Sequence, residues 1–336
     1  MYKTSIMKKF TIISDFSINL SFLKKKYSFL VSKNLFNKPV IVKINFGGKL
    51  DSKINFLNQN LMKKENKSIF VFFNGRYLEI KNSVFDYKIQ ILIDKNISKL
   101  KLIEIIDDLI FIKLIQSKFL PIHSSGFYLK QKGYLIASYG GVGKTRIILE
   151  ANKFSNKCKI FDEWCLVKNK TLFPFSNEIL LMNYDITSNK KNFSSIDYYR
   201  AKISQFIPFQ KLKELFRILR IILPYKYQYF KNINFFTFKN FFFVKQKNLF
   251  SIKFQTIKKK AFANQILENF KHEKRRLLKL VLINNSISEF RNKKNLIKIY
   301  NLGLIKILNN CKYRNILIGK NKKNFNKILN EILVNG

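Results

Sequence analysis

The segment Ser138–Thr145 has the composition and spacing of a phosphate-binding loop. Its residues in order are Ser138, Tyr139, Gly140, Gly141, Val142, Gly143, Lys144 and Thr145. The pattern G-x-x-x-x-G-K-[ST] is satisfied at Gly143, Lys144 and Thr145, whereas Ser138 replaces the first glycine. Glycines let the backbone wrap so that successive N–H groups point at phosphate oxygens, and the positive end of a following helix faces the same anion.

The lysine and the threonine of this loop have different expected roles. Lys144 can reach the β- and γ-phosphates of a nucleoside triphosphate, and the Thr145 hydroxyl can ligate Mg²⁺. The sequence therefore predicts that ATP and Mg²⁺ are bound here. The residues expected to contact the nucleotide are Ser138, Gly140, Gly141, Val142, Gly143, Lys144 and Thr145. The alternative is an ordinary glycine-containing turn between a strand and a helix, in which the Lys-Thr pair is accidental.

Two adjacent acids lie where the chain is expected to return to this loop. Asp162 is 18 residues beyond Lys144, and Glu163 follows it directly. Phosphoryl transfer needs a carboxylate to hold Mg²⁺ and often one to accept the proton of the attacking hydroxyl. The pair could divide these two tasks, although two solvated acids at the end of a strand would give the same pattern.

The two histidines differ in their surroundings. His123 precedes Ser124 and Ser125 on the strand before the loop, so a role in the active site and a purely structural role are both open. His272 lies in the basic stretch 271–276, which favours a position on the surface.

The first third of the chain is rich in short runs of β-branched and aromatic residues, which predict strands. These runs are Phe10–Ile13, Val40–Ile44, Ile69–Phe73, Arg76–Ile80 and Tyr87–Ile91, and Asn74-Gly75 predicts a hairpin turn. From Ser98 to Lys118 the apolar residues recur at threes and fours, which predicts an amphipathic helix capped by Ser98. We therefore expect a β-rich region over residues 1–118 that ends in a helix.

The remainder, residues 119–336, has the pattern of an α/β domain. Strands are predicted at His123–Leu129 and Tyr134–Ala137, joined by a turn at Lys132-Gly133, and the loop and a helix over residues 144–154 follow. Strand, loop, helix and strand in succession place helices over a sheet. Further predicted elements are a strand at 159–161, an extended segment at 165–167, a loop at 188–199, a basic helix at 210–223, a strand pair at 241–244 and 250–254, a helix at 258–280, a strand at 315–318 and a helix at 325–333.

Composition places the chain among globular proteins with a strongly basic balance. It has 336 residues and a formal charge of +44, which would attract nucleic acid, anionic lipid or an acidic protein or peptide. The lysines are spread along the whole chain, however, which diffuse compositional drift would also produce. Three scattered cysteines predict reduced thiols, and no clean signal peptide or apolar run of ~18 uncharged residues is present. We expect a cytoplasmic protein without a transmembrane segment.

The order of these motifs resembles the HPr kinase/phosphorylase group and its kinase-like relatives. The resemblance rests on the segment Pro121–Gly126, then the loop, then Phe161-Asp162-Glu163, and it covers about 50 residues, Leu120 to Val167. Those proteins have a histidine-containing strand, a short hairpin, a glycine-rich loop ending in Gly-Lys-[Ser/Thr] and an Asp-Asp pair one helix later. The resemblance implies an α/β (α+β) fold in which a phosphoenolpyruvate-carboxykinase-like domain on a mixed sheet follows the N-terminal β-rich region.

The resemblance also implies roles for individual residues. Lys144 would bind phosphates, Thr145 with Glu163 would serve Mg²⁺, and Asp162 would be the catalytic base with His123 supporting it. The sequence departs from the family where Ser138 and Glu163 replace a glycine and an aspartate, and the later glycine-rich signature of the true HPr kinases does not follow Asp162. Related kinases often assemble as oligomers, so a homo-oligomer is consistent with the resemblance.

Three functions fit these observations. The first is a kinase that transfers the γ-phosphoryl group of ATP to a hydroxyl on a protein serine or a small molecule. The second is a catalytically silent regulatory or accessory protein in which ATP occupancy switches a partner surface. The third, less favoured, is a basic nucleic-acid-binding NTPase, since aromatic residues alternate with lysines over residues 235–254. A half-buried strand pair in a lysine-rich chain has that same pattern.

Overall fold

A computed structural model shows an α+β protein with two mixed sheets and a smaller two-stranded one. It describes residues 1–31, 33–47, 62–65, 68–73, 76–155, 158–175, 178–181, 199, 202, 225–228, 236–247, 252–286, 295–319 and 325–335. The predicted turn at 74–75, the predicted loop at 188–199 and the predicted helix at 210–223 lie outside these residues, apart from the single residue 199.

The first seven described strands form one sheet. In chain order the elements are β1 (Tyr2–Met7), β2 (Phe10–Ser14), α1 (Ser21–Lys26), a 3₁₀ turn (Ser28–Leu30), β3 (Val40–Phe46), β4 (Met62–Glu65), β5 (Ser68–Phe73), β6 (Arg76–Ile80) and β7 (Lys88–Ile93). The strand order is β1-β2-β3-β7-β6-β5-β4, with β3 parallel to both β2 and β7 and the other pairs antiparallel. The five strands predicted from the sequence in this part of the chain are confirmed.

The helix predicted before residue 118 is also confirmed. It is α2 (Lys99–Gln116), and the Ser98 hydroxyl at its N-cap accepts a hydrogen bond from the Lys101 amide at 3.2 Å. Its residues are buried on nearly all sides, so it is a core helix and not an amphipathic surface helix.

The second sheet contains nine described strands and begins directly after α2. In chain order the elements of this part are β8 (Leu120–Leu129), β9 (Lys132–Ala137), α3 (Lys144–Phe154), β10 (Lys159–Phe161), β11 (Trp164–Lys168), β12 (Thr171–Pro174), β13 (Glu178–Leu181), β14 (Tyr225–Gln228), β15 (Phe236–Thr237), β16 (Asn240–Lys247), β17 (Lys253–Gln255), α4 (Lys259–Glu273), α5 (Arg275–Ser286), α6 (Leu296–Leu308), β18 (Lys312–Gly319) and α7 (Phe325–Asn335). The strand order is β15-β12-β11-β8-β9-β16-β18-β17, and β10 also pairs with β8. Strands β13 and β14 pair separately.

Three expectations for this part need correction, and one helix was missed. The turn between β8 and β9 lies at Lys130 and Gln131, both in the left-handed region, and not at 132–133. Strands β16 and β17 do not form a hairpin, because β18 lies between them and pairs with both. The helix predicted over 258–280 is broken at Lys274 into α4 and α5. Helix α6 was not predicted.

Helices cover both faces of the second sheet, and successive side chains of its central strands point to one face and then to the other. Phe241 and Phe243 of β16 belong to the core beneath α2, α4 and α6, whereas Phe242 and Val244 belong to the core beneath α3 and α7. These side chains are at most 2 % exposed. The alternation of aromatic residues and lysines in this segment is therefore that of a buried strand, and Phe241 to Phe243 cannot serve as stacking platforms for nucleic-acid bases.

One continuous apolar core connects the two large sheets through α2. It includes Val42 and Ile91 from the first sheet, Ile106 and Ile110 from α2, and Ile122 from the second. Because the same helix seals both sheets, the position of β8 is tied to the packing of the N-terminal region. Among the described helices, none combines the length and the apolar character that crossing a membrane would require.

Helix α2 carries two buried acids that are matched by cations from other elements. Asp107 pairs with Lys26 of α1 at 3.1 Å and with Lys274 at 3.3 Å. Asp108 pairs with the Arg276 Nε at 2.6 Å and lies 3.9 Å from the Lys274 ammonium. Burial raises the pKa of Asp108, against the opposite effect of Arg276 and Lys274. The cluster fixes the junction between α4 and α5 against α2, because an unpaired buried charge would be costly.

We expect Asp108→Ala to lower the free energy of unfolding by about 3 kcal/mol, because it removes the buried carboxylate that pairs with the Arg276 Nε. Glu150→Ala is the control, since it breaks the more exposed Glu150–Lys153 pair on α3 and should cost under about 1 kcal/mol. Urea-induced unfolding measures both. Equal losses in the two variants would show that the cluster does not stabilise the fold.

Candidate functional site

The loop predicted to bind phosphate lies between β9 and α3, as the sequence predicted. Gly143 is the N-cap of α3 with φ 103°, and Gly141 has φ 77°, so two of the three glycines adopt the left-handed conformation that other residues avoid. Ser138 is not among the residues with positive φ, and its hydroxyl donates to the Tyr139 carbonyl at 2.8 Å. Serine therefore suits the first position of this loop, which explains why its glycine can be absent.

The space beside the two central glycines of the loop is open. An added Cβ at Gly140 or Gly141 would meet no atom within 4 Å, whereas at Gly143 it would lie 2.5 Å from the Phe325 ring of α7. Val142 faces the core with 8 % exposure, so it can contribute to binding only through its backbone. The loop is thus closed on its outer side by α7 and open at its two central glycines.

Lys144 and Thr145 begin α3 and point to different partners. The Lys144 ammonium is buried and donates to the Ser138 carbonyl at 3.0 Å. This hydrogen bond joins the end of the loop to its first residue. Burial lowers its pKa, and the charges of Asp162, Glu273 and Glu163 act in the opposite direction. The Thr145 hydroxyl donates to the Asp162 carboxylate at 2.8 Å.

Asp162 reaches the loop because β10 and β11 behave as one interrupted strand along β8. Phe161 pairs with Gly126 and Trp164 pairs with His123, so the register is unchanged across the interruption. Asp162 therefore lies opposite Ser125, whose hydroxyl donates a short hydrogen bond to it. Burial raises the pKa of Asp162, while hydrogen bonds from Ser125 and Thr145 and the charge of Lys144 lower it.

Glu163 occupies the interruption itself. Its φ is 67°, and the Trp164 amide donates to the Asp162 carbonyl at 3.0 Å, which is the pattern of a γ-turn centred on Glu163. A non-glycine residue in this conformation is strained, and such residues concentrate at functional sites. The turn leaves Glu163 exposed beside the buried Asp162.

The ring of His123 contacts Trp164 and Glu273, close enough to the loop for the charge of Lys144 to act on it. Its ring packs on Trp164 with centroids 5.1 Å apart, and its Nδ1 lies 3.4 Å from a Glu273 oxygen. Burial, together with the charges of Lys144 and Lys274, lowers the pKa of His123 to about 3. His123 is therefore neutral at physiological pH, and the support of Asp162 that the resemblance implies stays a prediction.

Three site residues come from the break between α4 and α5, which the sequence analysis did not predict. His272 lies against the exposed Tyr139 ring of the loop, with centroids 6.5 Å apart, Glu273 faces His123, and Lys274 enters the buried cluster on α2. The only sequence signal is the mixed-charge run His272-Glu273-Lys274 inside a predicted helix.

The donor set suits Mg²⁺ held jointly with a nucleotide. In the described part of the chain, no group of three or more His, Cys, Asp or Glu side chains could hold a metal ion. Magnesium is commonly held by one or two carboxylates plus substrate phosphates, so Asp162 with Thr145 at the open loop fits this ion.

In comparisons with known proteins, no protein-family model matches the chain, and no curated protein matches it significantly.

We expect the stability of the protein to fall as the pH drops from about 6.5 towards 3, in part through His123. The pKa of His123 is about 3 in the folded protein against an ordinary 6.5, so the unfolded chain binds the proton first. His123→Phe keeps a ring against Trp164 and removes this titration. Between pH 7 and pH 5 the variant should lose less unfolding free energy than the wild type, by at most about 2 kcal/mol.

Urea-induced unfolding at both pH values measures this difference. His272→Gln, which removes an exposed imidazole, is the control and should lose as much as the wild type. Equal losses in His123→Phe and the wild type would contradict the assignment.

Proposed function

We propose that the chain is an HPr-kinase-like phosphotransferase that binds ATP at the loop 138–145 and transfers the γ-phosphoryl group to a hydroxyl. The observation that carries the proposal is the position of Asp162. Its carboxylate joins Thr145 of the loop to Ser125 of the preceding strand and lies near the buried Lys144. The order β8, β9, loop, α3 and β10 further supports a P-loop domain of the phosphoenolpyruvate carboxykinase type.

The phosphates of ATP fit the open side of the loop. The amides around Gly140 and Gly141 and the N-terminus of α3 would donate to phosphate oxygens. Lys144 would exchange its contact with the Ser138 carbonyl for the β- and γ-phosphates, where its charge opposes the negative charge that builds up during transfer. Its low exposure strengthens this interaction, because little water screens it.

The contacts favour a division of tasks between the two acids that is the reverse of the one implied by the resemblance. Asp162 and Thr145 would hold Mg²⁺, which supplies positive charge to the phosphates. Asp162 already accepts two hydroxyl hydrogen bonds in a buried position, whereas Glu163 is exposed and near enough to raise the pKa of Lys144. Glu163 would therefore accept the proton of the acceptor hydroxyl.

These groups account for each bond that forms or breaks in the transfer step. The acceptor oxygen loses its proton to the Glu163 carboxylate and forms a bond to the γ-phosphorus, and the bond from that phosphorus to the β–γ bridging oxygen breaks. ADP leaves with the electron pair of that bond. His123, neutral and held between Trp164 and Glu273, would border the acceptor without changing its own charge.

We expect γ-labelled ATP to give a labelled product when the protein is incubated with fractionated cell extract. Lys144→Ala should abolish ATP binding and labelling, because it removes the one loop cation. Lys153→Ala, at the exposed end of the same helix, is the control and should keep both. ATP binding without any labelled product would favour the regulatory alternative, and nucleic-acid binding retained in Lys144→Ala would favour the third.

Two substitutions separate the tasks of the acids. Asp162→Asn should raise the Mg²⁺ concentration needed for half-maximal labelling at least tenfold and lower kcat. Glu163→Gln should lower kcat by about 10²- to 10⁴-fold, the usual contribution of a general base, with the Mg²⁺ requirement unchanged. If Glu163→Gln instead shifts the Mg²⁺ requirement and Asp162→Asn does not, the division implied by the resemblance is correct.

A further inference from the structure

A groove separate from the loop lies between α6 and the beginning of β8 and the end of β11. Its volume is about 460 Å³, which is within the usual range of small-molecule sites. The apolar part of its lining is Leu120, Val167, Ile299, Leu302, Gly303 and Ile307. Leu120 and Val167 are paired across β8 and β11, so the groove is built on the same strands that carry His123 and Trp164.

The groove owes its shape to a close approach between α6 and β8. An added Cβ at Gly303 would lie 2.6 Å from the Leu120 Cδ1, so α6 can approach β8 this closely only without a side chain there. Leu302, the next residue, is 58 % exposed at the edge of this space. An exposed leucine beside an apolar floor is a surface that an apolar chain could cover.

The polar rim of the groove is cationic. Three of the lining residues are lysines, namely Lys118, Lys168 and Lys306, and the described lining includes no carboxylate. The Lys168 ammonium lies 4.4 Å from the centre of the Phe119 ring, which holds it at the rim. Lys118 has φ 65° directly after α2, a backbone position that glycine usually occupies.

We propose that this groove binds a single-chain amphipathic anion, specifically a long-chain carboxylate. The apolar floor would take the alkyl chain, and the three lysines would take the carboxylate. The ten described lining residues are fewer than the about 20–30 residues on each side that a stable protein interface uses. A long-chain carboxylate matches both the size and the charge of the groove.

Isothermal titration calorimetry of the full chain with decanoate, below its micelle-forming concentration, tests the proposal. We expect one saturable site, with no saturable binding of acetate and at least tenfold weaker binding of the uncharged decyl glucoside. The triple variant Lys118→Gly, Lys168→Gln and Lys306→Gln should bind decanoate about tenfold more weakly, because each rim charge contributes a few-fold. Lys118→Gly also suits the local backbone, so folding should be retained.

A charge-matched variant separates the groove from the overall positive charge. Lys132→Gln, Lys170→Gln and Lys298→Gln remove three exposed lysines that do not line the groove, and this variant should bind decanoate like the wild type. Equal weakening by both triple variants would overturn the proposal, because it would assign the affinity to the net charge of +44. Absent saturation with decanoate, or equal affinity for decyl glucoside, would overturn it as well.

Discussion

The candidate site depends on one buried carboxylate that accepts hydroxyl hydrogen bonds from two separate segments. Asp162 is 3 % exposed, and burying a charged or polar group is unfavourable unless it has partners. Ser125 and Thr145 supply them from β8 and from the first turn of α3. Because each hydroxyl satisfies the same carboxylate, the strand register, the loop and the helix N-terminus are held in one arrangement. The strained γ-turn at Glu163 is compatible with that arrangement, since the β8 pairing on both sides of it keeps its register.

A second set of buried charges positions the opposite wall of the site. Asp107 and Asp108 on α2 bind Lys274 and Arg276, which lie at and just after the break between α4 and α5. Since Lys274 turns towards α2, Glu273 can turn towards His123 at the same point of the chain. The buried cluster thus connects the packing of the N-terminal region to the wall of the candidate site. The pairing of the two buried acids on α2 therefore affects the arrangement of the residues at the end of α4.

Sequence patterns identified the elements whose signals are local. The Ser98 cap with its periodic apolar residues gave α2, and the glycines with Lys144 gave the loop, because conformation and chemistry are encoded in consecutive residues. The errors concern long-range pairing: β18 inserts between β16 and β17 although it follows them by more than 50 residues. The break at Lys274 has no proline or glycine signal in the sequence, and Lys274 and Arg276 pair there with distant acids on α2. For the same reason Glu273 could not be recognised as a site residue.

The scarcity of acids in this chain gives their positions physical meaning. Six of the 20 acidic residues lie in the two adjacent clusters: Glu104, Asp107, Asp108, Asp162, Glu163 and Glu273. In a chain of net charge +44, the long-range field attracts anions such as ATP from every direction. Close to Lys144, negative charge offsets this positive field, because the charges of Asp162, Glu163 and Glu273 all act on the ammonium. The basic surface would thus favour the arrival of the nucleotide, whereas the local acids would govern the metal ion and the proton at the reacting phosphate, over distances shorter than the screening length of about 10 Å.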